Sequence, residues 1–107
     1  MAKKRPFALI FAREVKEHLR TIESKFHGII RSSIEEHLSH EPDLETRNRK
    51  PLTRPISFGA DWELRAGPQN CFRVFYTINM DSREVFVLAI GRKDGNRLFI
   101  GAEEYLE

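Results

Sequence analysis

Arg65 and Arg73 are the two side chains whose placement points most directly to chemistry. They lie in Trp62-Glu63-Leu64-Arg65-Ala66-Gly67 and Cys71-Phe72-Arg73-Val74-Phe75-Tyr76, with Pro68, Gln69 and Asn70 between the two segments. Taking those three residues as a loop, with Gly67 opposite Cys71, makes a tight β-hairpin in which Arg65 sits directly across from Arg73. Trp62, Leu64, Val74 and Tyr76 then share one face, and Asp61, Glu63, Arg65, Arg73 and Phe75 share the other. Two facing guanidiniums repel unless an anion or a carboxylate lies between them, and a phosphate suits the arginine fork. Two further basic groups surround the hairpin in sequence: Arg47, Arg49, Lys50 and Arg54 before it, and Arg92, Lys93 and Arg97 after it. Phe75, on the arginine face, offers a ring on which a base can stack. The competing reading is structural: Glu63 and Asp61 neutralise the arginines in surface salt bridges.

Other chemistries find less support. His18, His27, His37 and His40 all fall in or beside the predicted helices, so the basic half holds no histidine for acid–base work. Proton transfer there falls to Lys, Arg, Glu63 or Tyr76. His37 and His40 are three apart, but no cysteine or carboxylate set accompanies them, so no metal is assigned. Phosphate-cradling glycine loops, zinc signatures and nucleophile elbows are absent from the sequence, and no cofactor is expected. The single cysteine, Cys71, lies in a predicted strand and reads as a small packed side chain; it excludes an intramolecular disulfide and fits a reducing compartment.

The 107 residues are expected to form one domain over 1–107, with a net charge of +2. The charge is unevenly placed. Residues 1–5 contribute +3, residues 13–45 sum to −3, residues 46–97 carry ten basic against five acidic side chains, and the tail 98–107 is −3. The predicted sheet half is therefore basic, which fits a polyanionic partner or, equally on composition, a solvated surface with no ligand. The apolar run before Arg13 is too short for an export signal or a membrane span, so a cytoplasmic protein is expected.

The elements that must position these groups follow from periodicity. Pro6 to Phe11 reads as a first strand. Val15, Leu19, Ile22 and Phe26 are spaced for a helix from Arg13 to about Lys25, Gly28 punctuates the chain, and Ile30, Ile34 and Leu38 stripe a second helix to about Ser39. A short link implies an antiparallel helix pair covering one face of a sheet. Residues 41–59, with Pro42, Pro51, Pro55 and Gly59, read as a long loop. After the hairpin, residues 84–90 read as the most buried strand, with Val85, Val87 and Ala89 on one side and Phe86, Leu88 and Ile90 on the other. Residues 91–97 read as a basic turn, and Leu98-Phe99-Ile100 as a short closing strand. The fold class is α+β: an N-terminal strand, a helix pair on one face of a small, mainly antiparallel sheet, and basic residues on the other face.

This order of elements, with Arg47-Asn48-Arg49-Lys50-Pro51-Leu52, Trp62-Glu63-Leu64-Arg65-Ala66-Gly67, Phe72-Arg73-Val74-Phe75-Tyr76, Leu88-Ala89-Ile90-Gly91 and the trailing Gly95-Asn96-Arg97-Leu98-Phe99-Ile100-Gly101, resembles the RelE/ParE superfamily of toxins from bacterial toxin–antitoxin pairs, in its RelE-like branch. The resemblance implies an endoribonuclease that cuts messenger RNA on the ribosome, the RNA's own 2′-hydroxyl attacking the adjacent phosphate without metal or cofactor. It implies that Arg73 stabilises the phosphate, that Arg65 is a supporting cation, and that Lys93, with Arg92 beside it, acts near the leaving group. Lys50 falls where some members carry a glutamate base, so here it is a cation for RNA, grouped with Arg47, Arg49, Arg54, Phe75, Arg92, Arg97 and Phe99. Asp61 and Glu63 stand where some members carry paired lysines, and Phe99 stands where they carry a tyrosine. Glu63 becomes the candidate base if it faces Arg73. The implied partners are a cognate antitoxin, the ribosome and messenger RNA. ParE-like inhibition of DNA gyrase, or ribosome or RNA binding without cleavage, is the alternative.

Overall fold

A computed structural model describes residues 5–53 and 59–105. Arg54 therefore lies outside the described residues. The chain forms a small α+β structure whose two α-helices lie against a mainly antiparallel sheet of seven strands among the described residues. Strand β1 (Ala8–Phe11) leads into helix α1 (Glu14–Arg20), a 3₁₀ turn at Ser24–Phe26, and helix α2 (His27–Leu38). Strands β2 (Arg49–Pro51), β3 (Trp62–Ala66), β4 (Phe72–Asn79), β5 (Glu84–Asp94), β6 (Arg97–Ile100) and β7 (Glu103–Tyr105) follow. They are hydrogen-bonded in sequence order from β2 to β7, each pair antiparallel. Strand β1 alone runs parallel, and pairs with the first half of β5. Among the described residues no helix is long and apolar enough to cross a membrane.

The helical stripe does what its spacing predicts. Val15, Ile22, Ile30, Ile34 and Leu38 are all buried, against Leu64, Val74, Tyr76, Val85, Val87 and Ile90 from the sheet. Each fully buried aliphatic side chain contributes about 2 kcal/mol. The helix boundary differs from the expectation. Helix α1 stops at Arg20, where the Thr21 N–H and hydroxyl both bond the His18 carbonyl, and Gly28 lies inside the first turn of α2. Nothing lies within 4 Å of a would-be Cβ there, so packing does not require the glycine. α1 packs chiefly on β5 and α2 on β3.

The other face carries a smaller core of Ala60, Phe75, Ala89, Leu98 and Ile100. The division between the faces corrects the expected phase of β5. Tyr76 pairs with Val87 while Phe75 pairs with Ala89, so Leu88 is an extra residue, a β-bulge. Val85 and Val87 therefore share the helix side with Ile90, not with Ala89. A strand apolar on both sides gives no sequence signal of such a shift. Residues 91–94 also continue β5 rather than forming a turn, which is confined to Gly95 and Asn96. Within the expected loop, β2 pairs with β3, and β7 closes the sheet beyond β6; neither was anticipated.

Candidate functional site

The hairpin register is the expected one. Arg65 faces Arg73, Glu63 faces Phe75, and Pro68–Asn70 forms the connecting 3₁₀ turn. Beyond the hairpin, the bulge in β5 restores a common phase: Arg73 pairs with Gly91, so Lys93, two residues on, lies on the same face as Arg73. From β2, Lys50 pairs with Glu63 and joins that face. Lys50, Glu63, Arg65, Arg73 and Lys93 thus line one open groove of about 660 Å³ on the sheet face away from the helices. Among the described residues, four cations and one carboxylate converge there from four strands, a net positive lining.

Glu63 resolves the repulsion between the facing arginines. Its carboxylate accepts from Arg65 Nε at 3.1 Å and stands 3.9 Å from Arg73 Nε. The salt-bridge reading is therefore correct for Glu63, whose side chain is only 11% exposed. Asp61 is exposed and forms no ion pair with another described residue. Arg73 is further oriented by its own turn: its guanidinium donates to the Asn70 carbonyl and, at 3.4 Å, to that of Phe72. The turn is tight. Gln69 and Asn70 both have positive φ, and a Cβ on Gly67 (φ 79°) would lie 2.3 Å from the Phe72 ring. The Lys93 N–H donates to the Cys71 carbonyl at 2.7 Å, which fixes the end of β5 against the base of the turn. Lys50 Nζ lies 3.6 Å from Glu45 at the groove's rim.

Several expected site residues lie elsewhere. Phe75 is 1% exposed and forms the groove floor with Leu98, so it offers no face to a base. Arg49, beside Lys50 in the chain, points to the helix side and is 9% exposed. Its guanidinium donates to the carbonyls of His37 at 2.6 Å and Leu44 at 2.9 Å, tying the loop to the C-terminus of α2, where a cation complements the helix dipole. Arg92 pairs with Phe72 on one side and Phe99 on the other, which sets Arg92 and Phe99 on the helix side as well. Arg92 and Arg97 stack over the Phe99 ring at 4.6 and 5.1 Å, and Arg97 pairs with Glu104 at 2.8 Å. These three residues form a separate cluster behind the sheet, because the turn of one residue in a strand reverses its face. Arg47 is exposed beside the groove rather than in it.

Tyr76, also named for proton transfer, and two of the histidines make contacts away from the groove. Tyr76 is fully buried on the helix side and donates to the Pro42 carbonyl at 2.8 Å, and burial pushes its hydroxyl far above the usual phenol range. His18 Nδ1 accepts from the Ile90 N–H at 3.2 Å, and burial lowers its pKa despite the opposing charges of Glu14 and Glu17. His27 Nε2 lies within hydrogen-bond distance of the carbonyls of Leu19 and Ile22, bracing the link between the helices. Cys71 packs, partly buried, at the edge of the main core just before β4. Among the described residues no three His, Cys, Asp or Glu side chains gather as metal ligands. Another open hollow, of about 620 Å³, lies by Phe7, Leu44 and Met80 and mixes Glu41 and Asp43 with Arg83, without a convergent set of donors.

Sequence reasoning missed the role of Asn70, whose signal was available: a Gln-Asn pair in a tight hairpin loop suits positive φ, and the carbonyl it turns inward is what Arg73 holds. The chain matches no model of a protein family, and no curated protein sequence matches it.

Proposed function

We propose that this chain is a toxin of the RelE/ParE kind that inhibits translation by cleaving messenger RNA on the ribosome. The observation that carries the reading is the convergence of Arg65, Arg73, Lys93 and Glu63 in one groove from three different strands. The reaction is transesterification within the RNA: the 2′-oxygen forms a bond to the adjacent phosphorus, the bond from phosphorus to the 5′-oxygen breaks, and the proton lost by the nucleophile is balanced by one gained at the leaving oxygen. Charge builds on the phosphate oxygens, and preorganised guanidiniums in the groove stabilise it without reorganising. Arg73 is the main phosphate ligand, since its fork is oriented by the Asn70 carbonyl, and Arg65 is the second. Lys93 serves the leaving oxygen. Glu63, the carboxylate that lines the groove among the described residues, takes the 2′-proton once the incoming phosphate replaces it between the arginines.

Such a toxin needs an inhibitor in the cell. An antitoxin segment bearing acidic side chains across this groove, answering Arg65, Arg73 and Lys93, fits its charge. Primer extension on a message in a purified translation reaction tests the reading. Cuts confined to ribosome-bound message, inside the codon in the A site, are the expected result. An intact message with translation blocked replaces cleavage by binding, and an intact message with normal translation overturns the ribosomal reading in favour of gyrase, to be assayed by supercoiling.

A further inference from the structure

Beside the groove lies a second hollow, of about 440 Å³, lined by Arg47, Asn48, Lys50, Arg65 and Asn70. Lys50 and Arg65 line both. Among the described residues the lining of the second hollow holds three cations and two carboxamides; two of these cations pair with carboxylates outside the lining, Lys50 with Glu45 at 3.6 Å and Arg65 with Glu63 at 3.1 Å, and Arg47 does not. The Arg47 side chain is exposed and makes no hydrogen bond or ion pair with another described residue.

Its two asparagines are held by their backbones. The Asn48 carbonyl accepts from the Arg65 N–H at 2.7 Å, its N–H donates to Thr46 Oγ1 at 3.2 Å, and its Nδ2 donates to the Arg65 carbonyl at 3.1 Å. A carboxamide nitrogen carries two N–H groups, so one donor of Asn48 is left over. Asn70 donates its N–H to the Gly67 carbonyl at 3.0 Å and gives its own carbonyl to Arg73. Its carboxamide has no partner among the described residues. Fixed backbones therefore present amide donors beside three cations, a set that matches the several acceptor oxygens of a phosphodiester.

We propose that this hollow is a second phosphodiester subsite, which takes the phosphate next along the strand from the one held by Arg73. The proposal rests on the reading of the groove as the scissile-phosphate site. Sharing of Lys50 and Arg65 is what selects a polymer: two anions sit on either side of common cations, an arrangement suited to two phosphates one nucleotide apart on one backbone. The subsite would position the strand across the groove, with Arg47 and the asparagines as positioning residues that touch no reacting atom.

The test is an NMR titration of the intact protein at low salt with 2′-O-methyl oligoribonucleotides, which cannot be cleaved. A dinucleotide carries one phosphodiester and a tetranucleotide three. The side-chain amide signals of Asn48 and Asn70 are direct reporters. The tetranucleotide is expected to shift both and to bind about tenfold tighter than the dinucleotide. Arg47→Ala is expected to erase that advantage and to lower the salt slope for the tetranucleotide by about 0.7, the single-strand value for one phosphate contact. Equal affinity for the two lengths, or an Arg47→Ala variant that binds the tetranucleotide as well as the parent, overturns the subsite. Equal shifts of the same amides by a tetraglutamate peptide also overturn it, in favour of an acidic protein segment. Amide signals of Arg73 and Lys93 that stay fixed on tetranucleotide binding while those of Asn48 and Asn70 move overturn the reading of the groove instead, so the two failures are separable.

Discussion

Arg49 and Lys50 are neighbours in β2, as Arg92 and Lys93 are in β5, and in each pair the two cations end on opposite faces of the sheet. On the helix side, Arg49 is 9% exposed and bonded to two backbone carbonyls, and Arg92 lies over Phe99. On the open side, Lys50 and Lys93 join Arg65, Arg73 and the Glu63 carboxylate in one groove. The same residue types therefore serve as internal fasteners on one face and as a convergent positive field on the other. A basic composition cannot distinguish these uses, because strand alternation, together with the bulge at Leu88, decides which face each cation reaches.

The sharpest way to break the comparison is to remove one arginine from each face. Arg73→Ala is expected to lower ribosome-dependent cleavage by about 10²–10³-fold, the scale for loss of one preorganised charge-stabilising donor, with a stability change of about 1 kcal/mol. Arg97→Ala, behind the sheet, is expected to leave cleavage unchanged. Rates from primer extension and urea denaturation curves measured on both variants check the contrast; equal loss of cleavage in the two would show that the faces are not functionally distinct.

Arg49→Ala is the converse. It leaves the His37 and Leu44 carbonyls without their charged donor and frees the loop from α2, at a cost of about 3 kcal/mol. The urea midpoint should fall markedly, while the variant that remains folded keeps its affinity for a dinucleotide. A normal midpoint with lost affinity would move Arg49 to the binding face in function.

Gly67→Ala probes how the open face is built. The added Cβ meets the Phe72 ring, and φ of 79° disfavours any side chain, so a loss of about 2 kcal/mol is expected. Because Asn70 holds Arg73 through the same turn, cleavage should fall by more than the folded fraction accounts for. Cleavage that tracks the folded fraction alone would reduce the turn to a connection.

The hairpin was legible because its signals agree: a three-residue loop with Gly67 and Pro68, and alternation that places Leu64, Val74 and Tyr76 inward. The helical stripe was legible for the same reason, from Val15 to Leu38. The phase of β5 was not, since Val85 to Ile90 is apolar at every position and period two has nothing to bite on. Lys93 was named in the basic group after the hairpin and given its role near the leaving group by resemblance, but its face depends on the bulge. Nor could sequence separate Arg49 from Lys50 while β2, three residues long and ending in Pro51, passed for loop.

The bulge itself has a pH-dependent support on the helix side. The Ile90 N–H donates to His18 Nδ1, a bond that needs the neutral imidazole, and burial holds the folded-state pKa of His18 below its ordinary value. An unfolded His18, with a pKa of about 6.5, then binds protons more readily than the folded one. The stabilisation is complete above that pH and is lost as pH falls through the lowered folded value. His18→Gln keeps an acceptor and removes the titration. Urea midpoints from pH 7.5 to 5 should therefore decline less steeply in the variant than in the parent. Parallel profiles would mean that His18 is not the titrating support. Because Ile90 adjoins the bulge that sets the face of Lys93, the amide signals of residues 90–93 should move with the same midpoint in the parent and stay fixed in the variant.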